Sequence, residues 1–262
     1  MRVAAIGQVF VKATQFLSPA EVEVAEDGIR HDRLFALMEA DGRFVNSDQH
    51  RSFFSLRFDY NHTEETLQLT LPDGSTVVGP ALGNGTQHAV DHFGLRIISC
   101  AEVGGPWAEH LSAHAGRPMR LVRCATARSA IDVFPVTVLT TGSMSRLAEV
   151  VGEAVAPARF RAGFVLEHPE AHIEDSWDGL TLRLGQARLR IRSSVPRCVV
   201  TGFNPENGSR DQDVMRGLIK YRAKVTLPDG LIPDYATPGF ASYAEVLEPG
   251  RVACGDAAVL EG

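Results

Sequence analysis

Short segments in which apolar and polar residues alternate, separated by turn residues, run through the first half of this chain. This alternation has the period of a β-strand with one buried face. Asp41-Gly42 and Pro72-Asp73-Gly74 are turn signals that favour hairpins. The clearest strand segments are 3–10, 21–24, 34–38, 67–71 and 76–78. The pattern predicts a sheet-rich first half.

Two other segments have the spacing of amphipathic helices. In 106–115, the apolar residues Trp107 and Leu111 recur four positions apart. A second helix begins near Gly142, with Ser143 as the candidate N-cap and apolar residues on one face behind it. With these helices added, the predicted fold class is mostly β with some α.

A strand-like run in the second half leads to an isolated cysteine. Between Ala187 and Ile191, apolar residues alternate with arginines, which predicts a half-buried strand. Cys198 follows directly after Arg197, and the turn residues 204–208 come soon afterwards. A neighbouring arginine favours the thiolate, the form that binds soft metals or attacks electrophiles. Cys198 is therefore a candidate metal ligand or nucleophile, and the alternative is a small buried hydrophobic residue.

The charge and hydropathy of the chain argue against two classes of partner. Its 262 residues carry a formal net charge of −6 and no dense basic stripe, which disfavours binding to a nucleic-acid backbone. Its longest apolar stretches, such as 133–139, are far shorter than the roughly 20 residues needed to cross a bilayer. The first residues also lack the pattern of a signal peptide. We therefore expect a cytoplasmic protein with no nucleic-acid partner and no membrane association.

The four cysteines, Cys100, Cys124, Cys198 and Cys254, are widely scattered along the chain. This spacing excludes the usual sequence-local signatures of iron–sulfur and zinc sites. In a reducing cytoplasm we expect the thiols to stay free. A redox enzyme without an iron–sulfur, haem or dinucleotide signature has to receive its electrons from another protein. If the chemistry is redox, the sequence therefore predicts a separate electron donor.

Several motifs, in the same order along the chain, are similar to those of one known family. Arg197-Cys198 and the turn 204–208 resemble the family's cysteine motif, and 159–163 resembles its Arg-Phe-Arg segment. The acidic stretch around Trp177 and the N-terminal segments 9–12 and 28–38 extend the match over nearly the whole chain. The chain thus resembles the MOSC proteins, named for the C-terminal domain of molybdenum cofactor sulfurase, and most of all their amidoxime-reducing branch.

The resemblance implies a fold with two parts. An N-terminal MOSC-associated β domain, residues 1–120, would pack on a MOSC β-barrel domain, residues 121–262, with a cleft between them. It also implies a reaction, the reduction of N-hydroxylated small molecules at a molybdenum cofactor (Mo-molybdopterin). Electrons would come from a donor protein of the ferredoxin, flavoprotein or cytochrome type.

The resemblance further implies which residues hold the cofactor. Cys198 would be the metal ligand and the catalytic residue. Lys12 and Arg33 would supply cations to the phosphate, for which the alternative is an ordinary surface role. Thr140 and Ser143 lie near the start of the predicted second helix, where hydroxyls and free amides favour anions. The full implied set is Lys12, Arg33, Thr140, Ser143, Arg161, Arg197 and Cys198.

Two residues depart from the family pattern and keep other functions open. Ala13 stands where the family usually has Ser, and Gly163 stands where it often has Asn. Both replacements remove polar side chains that the family uses to hold the pterin. One alternative is a sulfur carrier with a persulfide on Cys198. Another is a MOSC scaffold without the cofactor that acts on, or binds, a different small anionic ligand.

Overall fold

Strands make up most of the regular structure, and the mostly β fold class is confirmed. The computed structural model describes residues 1–92, 96–126, 130–227 and 235–261. The strands are β1 Val3–Ile6, β2 Glu21–Ala25, β3 Gly28–Ile29, β4 Phe35–Glu39, β5 Arg57–Asn61, β6 Thr66–Thr70, β7 Thr76–Pro80, β8 Gly83–His92, β9 Arg96–Val103, β10 Met119–Cys124, β11 Val136–Thr140, β12 Phe164–Leu166, β13 Thr181–Leu184, β14 Ala187–Pro196, β15 Lys224–Thr226, β16 Ala236–Glu248, β17 Gly250–Ala253 and β18 Ala258–Glu261. The α-helices are α1 Trp107–Ala115, α2 Thr141–Val151 and α3 Val214–Ile219, and short 3-10 helices cover Arg51–Ser55, Pro157–Phe160, Ile173–Trp177 and Val199–Gly202.

The largest sheet closes on itself. Its strand order is β1-β12-β11-β16-β14-β13-β18, with β15 beside β16. A bridge between Arg2 and Ala257 joins the start of β1 to the start of β18. The Val3 N–H also donates to the Asp256 carbonyl oxygen at 3.0 Å. The sheet is therefore a barrel, as the resemblance implies.

Alternation along β14 fills the barrel interior. Ala187, Leu189 and Ile191 are buried in its core. Arg188 and Arg190, between them in the sequence, are more exposed. The strand predicted over 187–191 is thus confirmed, and it continues to Pro196 because residues beyond Ile191 keep pairing with β16.

The N-terminal strands belong to the barrel region. β1 pairs with β12, and β2 pairs with β17 near the chain end. Val3, Ile6 and Val24 are buried in the barrel core. The predicted division between residues 120 and 121 falls inside β10, and the two domains 1–120 and 121–262 stay a prediction.

A second core forms around the remaining N-terminal strands. β4, β10, β9 and β8 make an antiparallel sheet of four strands, and β5, β6 and β7 make one of three. Trp107 of α1 is fully buried between them, and its Nε1 donates to the Pro80 carbonyl oxygen at 2.8 Å. The turn predicted at 72–74 joins β6 to β7, with Gly74 at a φ of +83°.

Two local predictions need correction. The strand expected over 3–10 ends at Ile6, because the following backbone takes other partners: the Gly7 N–H donates to the Gly163 carbonyl oxygen at 2.9 Å and the Gln8 N–H to that of Leu17 at 3.1 Å. The N-cap of α2 is Thr140 rather than Ser143. Thr140 has an extended backbone, and its Oγ1 accepts the Ser143 N–H at 3.3 Å.

Within the described ranges, none of the helices has both the length and the apolar character that crossing a bilayer requires.

Candidate functional site

Cys198 lies in the short connection after β14. The strand ends at Pro196, and a 3-10 helix, Val199–Gly202, begins directly after the cysteine. Its predicted place just past a strand end is therefore confirmed. Cys198 is exposed. Thr201 fixes the connection, because its Oγ1 donates to the Cys198 carbonyl oxygen at 3.0 Å.

The polar turn that follows is braced against another part of the chain. The Asn204 N–H donates to the Ser209 carbonyl oxygen at 2.8 Å, and the Gly208 N–H donates back to Asn204 at 2.9 Å. Gly208 has a φ of +72°, and a Cβ there would lie 2.0 Å from the carbonyl oxygen of Arg51. Only glycine fits this contact, so the turn rests directly on the backbone of an N-terminal segment.

The Arg197 side chain is buried and hydrogen-bonds to two other segments, β16 and the 3-10 helix Pro157–Phe160. Its Nε donates to the Phe240 carbonyl oxygen at 2.7 Å and its Nη1 to that of Phe160 at 3.0 Å. Burial lowers the pKa of this guanidinium to about 10, so it remains charged at neutral pH. Arg197 therefore fixes the end of β14, and its positive charge lies near Cys198.

The surroundings of Cys198 disfavour the thiolate in the free protein. Part of the residue reaches solvent, but protein surrounds the sulfur on the other sides, and this burial raises the pKa of the thiol. The Val200 N–H and the Arg197 charge lower the pKa, and the charges of Asp132 and Asp48 raise it. The net effect is a raised pKa. A metal that binds this sulfur at neutral pH therefore has to displace a proton.

Lys12 and Asp132 form an ion pair at the site. Lys12 Nζ also donates to the Ala130 carbonyl oxygen at 2.8 Å. The lysine side chain is 11% exposed, whereas that of Asp132 is 62% exposed. His92 Nε2 lies 3.3 Å from the same carboxylate and is buried. The cation thus lies beneath an aspartate that faces solvent.

Opposing effects act on these paired groups. Burial lowers the pKa of Lys12, and its contact with Asp132 opposes that shift. Protein packed around the partly exposed Asp132 opposes its ionisation, but the charge of Lys12 and the contact with His92 outweigh this effect and hold the pKa of Asp132 below its usual range. Asp132 is therefore ionised at neutral pH.

Arg33 is paired in a similar way. Its Nη1 forms an ion pair with Asp32. The other carboxylate oxygen of Asp32 accepts the Val9 N–H at 2.8 Å. This contact ties the Arg33 loop to the segment between β1 and Lys12.

Arg161 differs from the other two cations. Its Nη1 donates to the Thr14 carbonyl oxygen at 3.0 Å, and its guanidinium lies over the rings of Phe16 and Phe54 at 5.0 and 5.5 Å. Its Nη2 is buried and has no hydrogen-bond partner in the part of the chain that the structure describes. Burial lowers the pKa of this guanidinium to about 9. Arg161 therefore keeps one donor available for an anion.

Three residues in this part of the protein have strained backbone conformations. Ala13, Arg33 and Arg161 have φ angles of 71°, 52° and 50°, in the left-handed region that non-glycine residues rarely occupy. Such conformations cost free energy and persist where the surrounding structure enforces them, often at ligand sites.

Charges connect these residues into one site. Arg161 feels the charges of Arg33, Asp32 and Asp132. Asp132 in turn acts on Cys198. The predicted residues that the structure brings together are Lys12, Arg33, Arg161, Arg197 and Cys198. Around them lie three carboxylates, Asp32, Asp48 and Asp132, so the four cations Lys12, Arg33, Arg161 and Arg197 leave a net positive charge.

Thr140 and Ser143 are engaged elsewhere. Thr140 Oγ1 donates to Glu174 Oε2 at 2.9 Å, and Ser143 Oγ donates to Glu174 Oε1 at 2.7 Å. All three side chains are buried. The expected anion position at the start of α2 thus already holds a carboxylate of the protein itself.

Asp132 and His92 were not predicted from the sequence. Asp132 lies between β10 and β11, and His92 lies forty residues before it at the end of β8. No short-range spacing links such residues, because folding alone brings them together. The only available signal was an acidic residue in a segment leading to a buried strand.

The two departures from the family pattern differ in their physical setting. A Cβ at Gly163 would lie 3.1 Å from Ile29 Cδ1, so a larger side chain there would crowd the barrel core. The Gly163 N–H instead donates to Thr137 Oγ1 at 3.2 Å. Ala13 is buried and lacks a hydroxyl group. A cofactor at this site would depend more strongly on Arg33 and Arg161.

Comparisons with known proteins agree with the motifs. The family profile described as MOSC domain matches residues 125–259, just over half of the chain. Mitochondrial amidoxime reducing component 2 of Bos taurus is 24% identical over 271 residues, and the match covers 94% of this chain and 79% of that protein. Mitochondrial amidoxime-reducing component 1 of Mus musculus is 23% identical over 279 residues, covering 96% and 80%.

Among solved structures, the YuaD protein of Bacillus subtilis is similar with a TM-score of 0.46 and 11% identity, covering 99% of this chain and 94% of that one.

Proposed function

Because this chain belongs to the MOSC domain family, we propose that it binds a molybdenum cofactor of the molybdopterin type and reduces N-hydroxylated small molecules. Cys198 is the proposed metal ligand, and Lys12, Arg33 and Arg161 provide positive charge for the phosphate. Arg197 positions the segment that carries Cys198. The names of the cattle and mouse relatives, which are amidoxime reducing components, support this class of reaction.

The available Nη2 of Arg161 is the observation that most supports this proposal. A buried guanidinium nitrogen without an acceptor is unfavourable unless a ligand supplies one. A phosphate oxygen is a suitable acceptor, since guanidinium and phosphate form strong charge-assisted hydrogen bonds. The residues present therefore fit the anionic part of such a cofactor.

Asp132 restricts where the phosphate lies. Its exposed carboxylate is ionised and repels an anion. We therefore propose that the phosphate binds on the Arg33 and Arg161 side of the site. Lys12 favours phosphate binding indirectly, because its ion pair with Asp132 offsets the negative charge of that carboxylate. Thr140 and Ser143 are not part of the proposed cofactor site, because their hydroxyl groups donate hydrogen bonds to the Glu174 carboxylate.

The side chains at the site have different proposed roles in the reduction. When bound, the cofactor supplies two-electron redox chemistry at molybdenum. Cys198 loses its proton and holds the metal, and the Arg197 charge nearby favours this loss. Asp132 stays ionised near neutral pH and so does not act as a proton donor. Protons consumed in the reduction then come from solvent, to which Cys198 is exposed.

A separate protein supplies the electrons in this proposal. Cys100 and Cys124 are buried in the N-terminal core, and Cys254 lies near the chain end. Their spacing does not match a sequence-local iron–sulfur motif. We propose a donor of the ferredoxin, flavoprotein or cytochrome type. Purified protein with NADH alone should therefore not reduce a hydroxylamine or an amidoxime, whereas an artificial one-electron donor should support turnover.

Metal analysis of matched variants tests the proposal. Protein purified from a host that makes the cofactor should contain molybdenum in a ratio approaching one per chain. Cys198→Ser should lose reduction of an amidoxime, while Cys254→Ser, which changes another exposed cysteine, should retain it. Some molybdenum can remain in Cys198→Ser because the pterin also holds it.

Two results would overturn the proposal in favour of the alternatives. A persulfide on Cys198, seen as a mass adduct that is lost on reduction and accompanied by no molybdenum, would indicate sulfur transfer. The absence of both metal and adduct, with Cys198→Ser unchanged in its ligand binding, would indicate a scaffold for another anionic ligand.

The cytoplasmic location that the composition predicts stays a prediction, since the cattle and mouse relatives are named mitochondrial. Fractionation of cells that express the tagged full-length protein would test it.

A further inference from the structure

Cys100 and Cys124 face each other across two neighbouring strands. They are directly paired in the antiparallel register of β9 and β10. The next pair along is hydrogen-bonded, with the Ala125 N–H donating to the Ser99 carbonyl oxygen at 3.1 Å. In an antiparallel sheet, hydrogen-bonded and non-hydrogen-bonded pairs alternate. The two cysteines therefore form a non-hydrogen-bonded pair, the type in which side chains come closest.

The distances suit a covalent link between the two sulfurs. The Cα atoms of a non-hydrogen-bonded pair are about 4.5 Å apart, inside the range of about 4.4–6.8 Å found for disulfides. The two Sγ atoms lie 3.6 Å apart. Rotation of the side chains can close this gap without moving the strands.

We propose that Cys100 and Cys124 are a thiol oxidation site, at which hydrogen peroxide converts the two thiols into a disulfide across β9 and β10. Both residues are buried, at 1% and 2% exposure. A small uncharged oxidant can reach such thiols during brief openings of the strands, whereas a bulky disulfide reagent such as oxidised glutathione cannot.

The chemistry needs two electrons and one molecule of peroxide. The Cys100 sulfur, as the thiolate, attacks one peroxide oxygen, the O–O bond breaks, and the departing hydroxide takes up a proton to form water. The Cys124 sulfur then attacks the resulting sulfenic acid, so the S–S bond forms, the S–O bond breaks, and a second water leaves. The contact between the thiols lowers the pKa of Cys100 and raises that of Cys124, which favours this order.

The position of the pair gives oxidation a route to the proposed site. Cys124 lies near Lys12, whose charge acts on its thiol. Ala130 packs in the same core cluster, and its carbonyl oxygen accepts the Lys12 ammonium. A disulfide here would change the packing beside Lys12 and leave the charge there unchanged, because the raised pKa already keeps the Cys124 thiol neutral at neutral pH. This consequence rests on the proposed function, whereas formation of the disulfide does not.

Peptide mapping of the oxidised full-length protein tests the proposal. The protein is treated with hydrogen peroxide, then quenched, unfolded, alkylated and digested. We expect a peptide linked through Cys100 and Cys124 that dithiothreitol separates. Oxidised glutathione at the same concentration should give much less of it. The disulfide should also raise the melting temperature by roughly 5 °C, because it closes a long loop.

Matched variants identify the pair and isolate it from the other thiols. Cys198→Ser with Cys254→Ser should oxidise as the natural sequence does. Cys100→Ser should show neither the linked peptide nor the rise in melting temperature. If the Cys100→Ser variant does not fold, Cys100→Ala serves for the same measurement.

Two outcomes overturn the proposal: Cys100 and Cys124 both alkylated after peroxide has oxidised Cys198, or a linked peptide that joins either of them to another cysteine. Molybdenum content, measured on the same samples, reports separately on the proposed function.

Discussion

The burial of the Arg161 guanidinium destabilises the protein when no ligand is bound. Its Nη2 has no acceptor among the described residues, and burial lowers its pKa to about 9. We expect Arg161→Met to lower the free energy of unfolding by only about 1 kcal/mol, because the relief of a buried charge offsets part of the lost hydrogen bond to the Thr14 carbonyl oxygen. Phosphate or pterin binding should weaken by about ten-fold. Urea unfolding and cofactor analysis measure the two effects.

Arg197→Met is the comparison for Arg161→Met, because each arginine has one buried nitrogen, Nη2, without a partner among the described residues. Arg197 satisfies two backbone carbonyl groups, those of Phe160 and Phe240. Removing both donors leaves buried acceptors unpaired, so we expect a loss of about 3 kcal/mol in the free energy of unfolding. Equal unfolding midpoints for the two variants would contradict the assigned roles.

The reactivity of Cys198 should report the charge of Asp132. Because the thiol pKa is raised, its alkylation by iodoacetamide should keep increasing with pH beyond the ordinary cysteine range of about 8.5. Asp132→Asn removes a negative charge, lowers that pKa and should speed alkylation at pH 8 by roughly two- to five-fold. Mass spectrometry of the Cys198 peptide follows the rate.

The control for this experiment is a charge change at a residue distant in sequence from both Asp132 and Cys198. Asp73→Asn, in the turn between β6 and β7, should leave the rate unchanged. A rate in Asp132→Asn no faster than in the natural sequence would show that Asp132 does not act on the thiol.

The sequence predicted those site residues that carry a recognisable motif. Arg197-Cys198 and the Arg159 to Arg161 segment are contiguous strings, so the resemblance identified them directly. Asp132 and His92 meet only through folding. For Thr140 and Ser143, the sequence showed hydroxyls at a helix start but could not show that Glu174, more than thirty residues later, uses them.

At the scale of elements, Glu174 joins the start of α2 to a 3-10 helix. Burial raises the pKa of its carboxyl group, and the Ser143 and Thr140 hydroxyls only partly offset this. The folded protein therefore holds the proton more tightly than the unfolded chain does. The stability that Glu174 contributes is complete below the unfolded pKa and declines as pH rises through the folded pKa.

A titration of stability tests this role of Glu174. We expect Glu174→Gln to become more stable relative to the natural sequence as pH rises above about 4.5, so that the difference in the free energy of unfolding shifts in its favour, because glutamine does not ionise. Glu170→Gln, an exposed change in the preceding loop, should show no such trend. A pH-independent difference for Glu174→Gln would contradict the raised pKa.

Elements with a clear period were predictable and elements set by tertiary contacts were not. α1 and the β6–β7 hairpin match their predictions because their local signals agree with their packing. The strand expected over 3–10 ends at Ile6 because Gly7 and Gln8 hydrogen-bond to the distant residues Gly163 and Leu17. Such a contact has no local sequence signal.

At the scale of the whole molecule, the barrel needs strands from both ends of the chain. β1 lies between β12 and the start of β18, and β2 pairs with β17. We expect a fragment of residues 121–262 to lack cooperative unfolding, because the barrel would be open and part of its core missing. Circular dichroism during thermal unfolding measures this.

Adding the complementary fragment, residues 1–120, should restore cooperative unfolding. A fragment 121–262 that unfolds cooperatively by itself would show that the barrel can close without β1.

The pairing of β2 with β17 also determines how late in synthesis the fold can be completed. β2 ends at Ala25, but its partner begins only at Gly250, so nearly the entire chain has to leave the ribosome before the edge of β2 is covered. Lys12 and Arg33 are likewise made long before Cys198. The nascent protein therefore carries unpaired strand edges for most of its translation, when chaperones can bind them, and it can accept a ligand at this site only late in its synthesis.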